Sequence, residues 1–267
     1  MADPGRPPEP GGGACASGAA TAGGCAPRLQ DYRAHYTADA EFLSCYEPMH
    51  ADRQAAEKRR LGWLVRCLAP RRGERLLDIG CGSGLLGSLG AAAGARVCVL
   101  DIAWRGVAGA RARFPQLEQA VVGDAYALPF ASESLGAVVL SEVLEHLEDM
   151  PRALAEVRRA LRPAGRVLVS VPYRERILYH LCIHCNRLTP ANAHLHRFGR
   201  GDLESLLAAS GLQPRRTWLL TNKLLERVGF SRWTQAWPQS CWRLIDAAAN
   251  RLLGHAGYVC VLATKVR

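Results

Sequence analysis

The sequence lacks any apolar run of the roughly eighteen residues that a membrane span requires, and its first residues lack a basic stretch followed by an apolar block. Its ten cysteines are scattered from Cys15 to Cys260, without the dense, regular spacing of a disulfide-stabilised secreted domain. These absences argue against an integral membrane protein and against a secreted scaffold. We therefore expect a cytoplasmic protein with reduced thiols.

Concentrated positive charge is also absent, although the formal net charge is +10. The basic residues occur in short groups, such as residues 58–60 and 215–216, which are interleaved with acidic and apolar residues. Aromatic residues do not alternate with them, as they do on many nucleic-acid-binding surfaces. The distribution therefore argues against a nucleic-acid partner, and it indicates no oligomeric state.

Composition and periodicity divide the chain into four segments. Residues 1–27 are rich in Ala, Gly and Pro and predict a disordered tail, whereas residues 28–72 carry large residues at helical spacing and predict a helical lid. In residues 73–172, short apolar runs alternate with helical stretches, as in parallel strands covered on both faces. Residues 173–267 are predicted to form an insertion that shapes a substrate pocket, followed by a closing strand. The predicted fold is α/β, with a Rossmann-like, doubly wound and mostly parallel sheet.

A glycine-rich loop at a strand-to-helix transition is the densest motif. Asp78 comes at the end of the strand, and Gly80, Gly82 and Gly84 follow it. Glycines allow left-handed torsions and a close approach of the backbone to a ligand, whose anionic groups the helix N-terminus attracts. Asp78 would repel a pyrophosphate but accept hydrogen bonds from an ammonium group. The loop therefore favours a ligand that carries both charges.

Residues 82–87 also match the dinucleotide-binding fingerprint, with Asp101 at about the spacing of its ribose-binding acid. A nicotinamide-dependent reductase is therefore an alternative. Two observations favour a different ligand. The sequence has no Tyr-x-x-x-Lys pair for proton relay, and a third acid, Asp124, follows the third predicted strand, where it could accept a hydrogen bond from an adenine amine.

These motifs, together with residues 139–146 and 161–168, resemble the class I S-adenosylmethionine-dependent methyltransferases, in particular their small-molecule group. The likeness covers about residues 73–173. It implies S-adenosylmethionine as cofactor, with the methionine moiety at Asp78 and the glycines, the ribose at Asp101 and the adenine at Asp124. The predicted cofactor-binding residues are Asp78, Gly80, Cys81, Gly82, Gly84, Asp101, Ile102, Asp124, Ala125 and Ser141.

Methyl transfer from a sulfonium needs positioning, exclusion of water and a base where the acceptor loses a proton. His146, just after the fourth predicted strand, is the candidate base; alternatively, Glu145 and His146 only orient the following loop. We expect a small-molecule acceptor, with a hydroxyl oxygen of a quinone-like metabolite as the first hypothesis. Residues 140–143 lack the Asn-Pro-Pro-aromatic arrangement of enzymes that methylate planar amines in nucleic acids. An RNA methyltransferase and a non-catalytic cofactor-binding scaffold are the alternatives.

Two sets of residues have metal-ligand chemistry, although no metal is predicted. The first set, Glu142, Glu145 and His146, resembles a segment of quinone-biosynthesis O-methyltransferases that can hold a divalent ion. The second set could close a tetrahedral zinc site and consists of Cys182, Cys185, His194 and His196. Buried thiols and loop histidines are the ordinary alternative.

A cluster of tryptophans lies near the C-terminus, at Trp233, Trp237 and Trp242, close to Phe230. Core packing of a C-terminal cap is the plainer interpretation. An apolar acceptor or peripheral contact with a membrane surface are the other hypotheses, because tryptophan is favoured where apolar and polar surroundings meet.

Overall fold

The computed structural model describes residues 31–44, 51–182, 186 and 188–266. The predicted tail of residues 1–27 and the candidate ligand Cys185 lie outside the described residues. The chain begins with α1 (Tyr32–Ser44) and α2 (Ala51–Leu68), which lie in the segment predicted to be helical. No described helix combines the length and the apolar character needed to cross a bilayer.

A seven-stranded sheet forms the centre of the protein, in the order β3-β2-β1-β4-β5-β9-β8. Its strands are β1 (Arg75–Ile79), β2 (Arg96–Asp101), β3 (Gln119–Val122), β4 (Leu135–Ser141), β5 (Leu161–Pro172), β8 (Leu212–Asn222) and β9 (Ala256–Lys265). Strands β1 to β5 are parallel, and β9 runs antiparallel between β5 and β8. The predicted Rossmann-like, mostly parallel fold is confirmed.

Helices cover both faces of the sheet. One face packs against α2 and α3 (Leu85–Ala92), and the other packs against α5 (Met150–Ala160) and α6 (Arg200–Ala209). Strand β4 is buried from Leu135 to Leu140, as expected for a strand between two helical layers. The amphipathic α5 buries Leu154 and Val157 and begins at Asp149, whose side chain accepts from the N–H of Arg152.

The predicted end of the cofactor-binding core at residue 172 is not the end of the sheet, because β8 and β9 follow it in the sequence and belong to the same sheet. Strand β8 was not predicted, because Pro214, Arg215 and Arg216 interrupt its apolar pattern. The predicted closing strand is β9, which is inserted between β5 and β8. The added part of the C-terminal region consists of a hairpin and a helical cap. The hairpin is formed by β6 (Tyr179–Leu181) and β7 (Leu188–Pro190), and the cap by α7 (Lys223–Arg227), α8 (Phe230–Trp233) and α9 (Gln239–Leu252).

The parallel arrangement decides where the site lies. The carboxyl ends of β1, β2, β3 and β4 share one edge of the sheet, and the loops that follow them meet there. The loop after β2 leads into α4 (Trp104–Arg113), and the loop after β4 contains a short turn of helix at Leu144–His146. The candidate residues of the sequence analysis therefore lie along one edge.

Candidate active site

A cavity of about 510 Å³ lies at this edge of the sheet, walled by the loops after β1 to β4 and by α1. Eight of the residues predicted to bind cofactor, catalyse or hold metal line it: Gly80, Gly82, Asp101, Ile102, Asp124, Ala125, Glu142 and His146. The sequence analysis did not select Arg105, Gly106, Arg113 and Tyr126, which also line the cavity. A deep cleft with a few convergent polar groups is the usual form of a small-molecule site.

Four predicted cofactor residues do not line the cavity: Asp78, Cys81, Gly84 and Ser141. Packing requires a glycine at position 84, because a Cβ there would lie 2.6 Å from the Cβ of Ala110 in α4. The Ser141 hydroxyl accepts a hydrogen bond from Arg60 at 3.0 Å. Ser141 therefore contacts α2, the helix that carries Arg60, and lies behind the cavity wall.

The loop after β1 brings backbone to the cavity. Gly80 has φ +68°, and a Cβ there would collide with Val143 Cγ2 at 2.5 Å. Gly82 has φ +47° and open space where a Cβ would be, while its N–H donates to Asp101 Oδ2 at 3.0 Å. Only glycine fits these two positions without strain. The loop is thus held close to Asp101 with its backbone towards the cavity.

Asp101 and Asp124 are fixed by backbone hydrogen bonds. Asp101 Oδ1 accepts from the N–H of Ala103 at 3.0 Å, so both of its oxygens have backbone donors. Asp124 Oδ1 accepts from the N–H of Tyr126 at 2.9 Å. Carboxylates held in this way are preorganised acceptors for the hydroxyl or amine groups of a ligand.

Asp78 lies behind the glycine loop with 2% of its surface exposed. Its Oδ2 has no hydrogen-bond partner, while the N–H of Gly87 donates to the carboxyl group. Burial raises the pKa of Asp78 to about 7. A buried carboxyl oxygen without a partner fits a cationic donor, because an ammonium group would both satisfy it and favour its charged form.

Helix α1 covers part of the cavity. The hydroxyl of Tyr32 donates to Asp124 Oδ2 at 2.7 Å, and Arg33 pairs with the same oxygen at 3.0 Å. The hydroxyl of Tyr36 donates to the carbonyl of His146, and the Tyr32 ring packs edge-on against Tyr126. The aromatic spacing in this segment predicted a helix and a lid. The spacing did not indicate that Tyr32 would contact Asp124, the acid predicted to bind the adenine.

A buried arginine that the sequence analysis did not identify lies beneath Glu142. Arg60 of α2 donates to Glu57 at 2.7 Å and lies 3.4 Å from Glu142, with its guanidinium over the ring of Tyr258. Glu142 has φ +59°, which is uncommon for a residue other than glycine. Burial raises the pKa of Glu142 to about 8 although Arg60 opposes this. Arg60 therefore holds Glu142 at the cavity wall.

The neighbouring cluster of Glu145, His146 and His194 contains several unsatisfied atoms. Glu145 is 1% exposed, and neither of its carboxyl oxygens has a partner; His146 Nδ1 also has none. One ligand atom from each of the three side chains lies within 4.8 Å of the others. His194 Nδ1 lies 2.5 Å from Glu175 Oε2. Burial, with the nearby His194, lowers the pKa of His146 to about 4, which leaves its imidazole neutral at physiological pH.

The structure groups the candidate metal ligands differently from the two sets that the sequence offered. Glu142 pairs with Arg60 and is replaced in the converging group by His194. In the second set, His196 Nε2 lies 2.8 Å from the carbonyl of Leu147, and His194 belongs to the cluster with Glu145. Within the described part of the chain, Cys182 and His196 take part in no group of three converging ligands. The alternation of His, Cys and Arg near residue 182 could not show which side chains the fold brings together.

The fold and the cavity define the class of protein: an α/β protein with a cavity for a small-molecule ligand at the carboxyl edge of its sheet. Residues 77–169 match the family described as methyltransferase domain. Over 181 residues, the chain is 30% identical to the ubiquinone biosynthesis O-methyltransferase of Bordetella bronchiseptica, covering 63% of this chain and 73% of that protein. The chain belongs to the class I S-adenosylmethionine-dependent methyltransferases, which confirms the predicted family.

Other relatives match over shorter regions. The ubiquinone/menaquinone biosynthesis C-methyltransferase UbiE of Paracoccus denitrificans is 42% identical over 109 residues, which are 38% of this chain and 44% of that protein. A probable S-adenosylmethionine-dependent methyltransferase of Mycolicibacterium smegmatis is 34% identical over 146 residues and is covered to 54%. The chain spans about half the length, or less, of these two curated relatives.

Solved structures show the same fold at low identity. The 1,6-didemethyltoxoflavin-N1-methyltransferase of Burkholderia thailandensis, solved with 1,6-didemethyltoxoflavin and S-adenosylhomocysteine, has a TM-score of 0.58 at 18% identity. The match covers 91% of this chain and 93% of that chain. A methyltransferase of Mesorhizobium loti has a TM-score of 0.56 at 21% identity, with 77% of this chain and 98% of that chain covered.

Proposed function

We propose that this protein transfers the methyl group of S-adenosylmethionine to a small-molecule acceptor. The observation that carries the proposal is Asp78, a buried carboxyl group with an unpartnered oxygen behind the glycine loop. A ligand with an ammonium group suits this position, whereas the pyrophosphate of a dinucleotide would be repelled by the ionised carboxylate. The argument therefore favours a methyltransferase over a nicotinamide-dependent reductase.

The cavity residues, together with Asp78 behind the glycine loop, divide the cofactor between them in this proposal. Asp78 and the backbone of Gly80 and Gly82 hold the methionine moiety, Asp101 with Ile102 binds the ribose, and Asp124 with Ala125 binds the adenine. The bound cofactor supplies an electrophilic methyl group on a sulfonium. The chain itself contributes orientation and exclusion of water, with Tyr32 and Tyr36 of α1 closing over the cavity.

We further propose a hydroxyl oxygen as the acceptor atom and His146 as the base. His146 lines the cavity and its imidazole is neutral at physiological pH, so it can accept the acceptor's proton. Val143 and Leu147, which line the same region, suit an apolar acceptor. Relatives named for ubiquinone biosynthesis support a quinone-like acceptor.

A second candidate function of the cluster around His146 is to bind a divalent cation. Glu145, His146 and His194 offer a carboxylate and two imidazoles within 4.8 Å, and Glu175 lies where it can orient His194. A cation would satisfy the two unpartnered oxygens of Glu145. His146 would then be a ligand, and the acceptor would lose its proton by another route.

The deciding experiment is calorimetric titration of the purified protein with S-adenosylhomocysteine, with oxidised and reduced nicotinamide dinucleotides run alongside. We expect binding of S-adenosylhomocysteine alone, with loss of affinity in Asp101→Ala. Binding of a nicotinamide dinucleotide only would refute the proposal. Cofactor binding without methylation of any hydroxylated quinone analogue would favour the non-catalytic scaffold, and methylation of RNA would replace the small-molecule acceptor.

The role of His146 is tested separately by steady-state kinetics of His146→Ala. We expect turnover to fall by about a hundredfold or more, with little change in cofactor affinity, because general-base catalysis commonly contributes this much. The matched control is His196→Ala, because His196 contacts the carbonyl of Leu147 but does not itself line the cavity. Full turnover in His146→Ala would return this residue to a purely structural role.

A further inference from the structure

The helical cap formed by residues 223–255 exposes large apolar side chains. Trp233 at the end of α8 is 82% exposed, and Leu244 and Leu252 of α9 are 72% and 80% exposed. Val228 and Leu253 of the cap are also exposed. Single exposed apolar residues are ordinary, but a group of them on one structural unit marks an interaction surface.

Helix α9 is amphipathic, and part of its outward face is apolar. Its inward face buries Trp242, Asp246, Ala249 and Asn250. At helical spacing on the other side lie the exposed residues Cys241, Leu244, Ile245, Ala248 and Leu252. The burial of Trp242 confirms the packing interpretation for that residue, whereas Trp233 has no such role. The inward face alone therefore accounts for the docking of α9 on the protein.

The exposed charge of the cap is positive. Its exposed basic residues are Lys223, Arg227, Arg232 and Arg251. Its two acidic residues, in contrast, are turned inward: Glu226 accepts from Ser231 at 2.7 Å, and Asp246 is buried against Arg243 at 2.9 Å. Arg232 reaches Asp52 of α2 at 3.3 Å. The exposed charge of the cap is therefore positive, and a positive surface suits an anionic partner.

The cap lies at the edge of the sheet that also holds the cavity. Strand β8 is antiparallel to β9, and β9 is antiparallel to β5, so β8 runs in the same direction as β5 and β4. The cap begins where β8 ends. Arg59 of α2 anchors it, donating to the carbonyls of Trp237 at 2.9 Å and of Thr234.

We propose that residues 223–255 form a docking surface for anionic lipid bilayers. Tryptophan is favoured at the boundary between headgroups and acyl chains, and an amphipathic helix with basic neighbours lies in that plane. The 14 residues of α9 extend about 21 Å, so this helix lies on a bilayer and does not span it. The proposal does not depend on the reaction proposed above.

The test is co-sedimentation of the full chain with vesicles of phosphatidylcholine alone and with vesicles that also contain phosphatidylglycerol. We expect binding to the phosphatidylglycerol vesicles, weakened by salt, and little binding to phosphatidylcholine alone. In the double variant Trp233→Ser/Leu252→Gln, we expect at least about a tenfold loss of partitioning, because two apolar side chains no longer enter the interface. Arg227→Gln/Arg251→Gln should lose affinity only for the anionic vesicles.

The matched control is Trp104→Ser. Trp104 is 65% exposed, but it lies on α4, next to β2 and β3 at the opposite end of the sheet from β8. This variant should bind vesicles like the unchanged protein, and all variants should keep the unfolding temperature, since the altered side chains are exposed. Failure to bind anionic vesicles at low salt would overturn the proposal, as would equal binding by the Trp233/Leu252 variant. A dimer that dissociates in that variant, without vesicle binding, would identify a second copy of the chain as the partner.

Discussion

Asparagine in place of Asp78 is expected to stabilise the free protein at neutral to alkaline pH while weakening cofactor binding. The carboxyl group is buried, one of its oxygens has no partner, and burial raises its pKa to about 7 from the usual 3.8. The folded state therefore binds the proton more tightly than the unfolded chain does. Stability falls as the pH rises from about 4 to about 7, by roughly 4 kcal/mol in total, since one pKa unit corresponds to about 1.4 kcal/mol.

Asparagine cannot ionise, so it avoids the free-energy cost of a buried charge, but it introduces a buried amide group that must find hydrogen-bond partners. Its carbonyl oxygen can accept from the N–H of Gly87 as the carboxylate does, whereas its amide N–H groups have no partner, which costs about 1–3 kcal/mol when buried. We therefore expect a net stabilisation of about 1–3 kcal/mol at pH 8 and no gain at pH 4. Cofactor affinity should fall about tenfold or more, because a charge-assisted hydrogen bond to the ammonium group is lost.

Denaturant unfolding of the cofactor-free protein across this pH range measures the first effect, and calorimetric titration with S-adenosylhomocysteine at pH 8 measures the second. Asp101→Asn is the matched control. Both oxygens of Asp101 accept backbone N–H groups, so the amide should lower stability at pH 8. If Asp78→Asn destabilised the protein at pH 8, or bound S-adenosylhomocysteine unchanged, the reasoning about this carboxyl group would be refuted.

Two further predictions concern the lid and the metal-ligand cluster. Tyr32→Phe removes one of the two groups that occupy Asp124 Oδ2, the other being Arg33. We expect S-adenosylhomocysteine to bind up to about tenfold more tightly by calorimetry, and equal or weaker binding would contradict a competing role for Tyr32. If Glu145, His146 and His194 hold a divalent cation, protein incubated with zinc or magnesium and then dialysed should contain one bound ion by elemental analysis. The ion should be lost in His194→Ala and kept in His196→Ala. Retention by both variants, or no ion in the unchanged protein, would remove the cation site.

Local patterns predicted the elements and residues whose contacts are short-range in sequence. Strands β1 to β5 are apolar runs between helices, and Gly80, Gly82 and Asp101 belong to one strand–loop–helix–strand unit, so spacing alone places them together. Strand β8 escaped prediction because it pairs on one side only, at the end of the sheet, and tolerates charged residues there. The position of β8 depends on β9, which lies between β5 and β8. No local sequence pattern shows that β9 is an inner strand of the sheet.

The residues that the sequence analysis missed act across long separations. Arg60 meets Glu142, 82 residues further along the chain, through the packing of α2 on the sheet. His194 reaches Glu145 and His146 because the backbone N–H of Leu195 donates to the carbonyl of Glu145 and so fixes the loop. Neither contact leaves a periodic signal. Both metal hypotheses grouped residues that are close in sequence, whereas the fold brings together residues from different loops.

Several of the unsatisfied buried atoms lie where the proposed ligands would bind. Of the nine such side-chain atoms in the described part of the chain, four belong to Asp78, Glu145 and His146, at the carboxyl ends of β1 and β4. A buried polar atom without a partner costs free energy, so an arrangement that served stability alone would have paired these groups or replaced them with apolar ones. Arg60 shows that the fold can satisfy a buried charge at this same edge, through Glu57, Ser141 and Glu142. Atoms left unpaired beside such a network are therefore best explained by ligands that complete them.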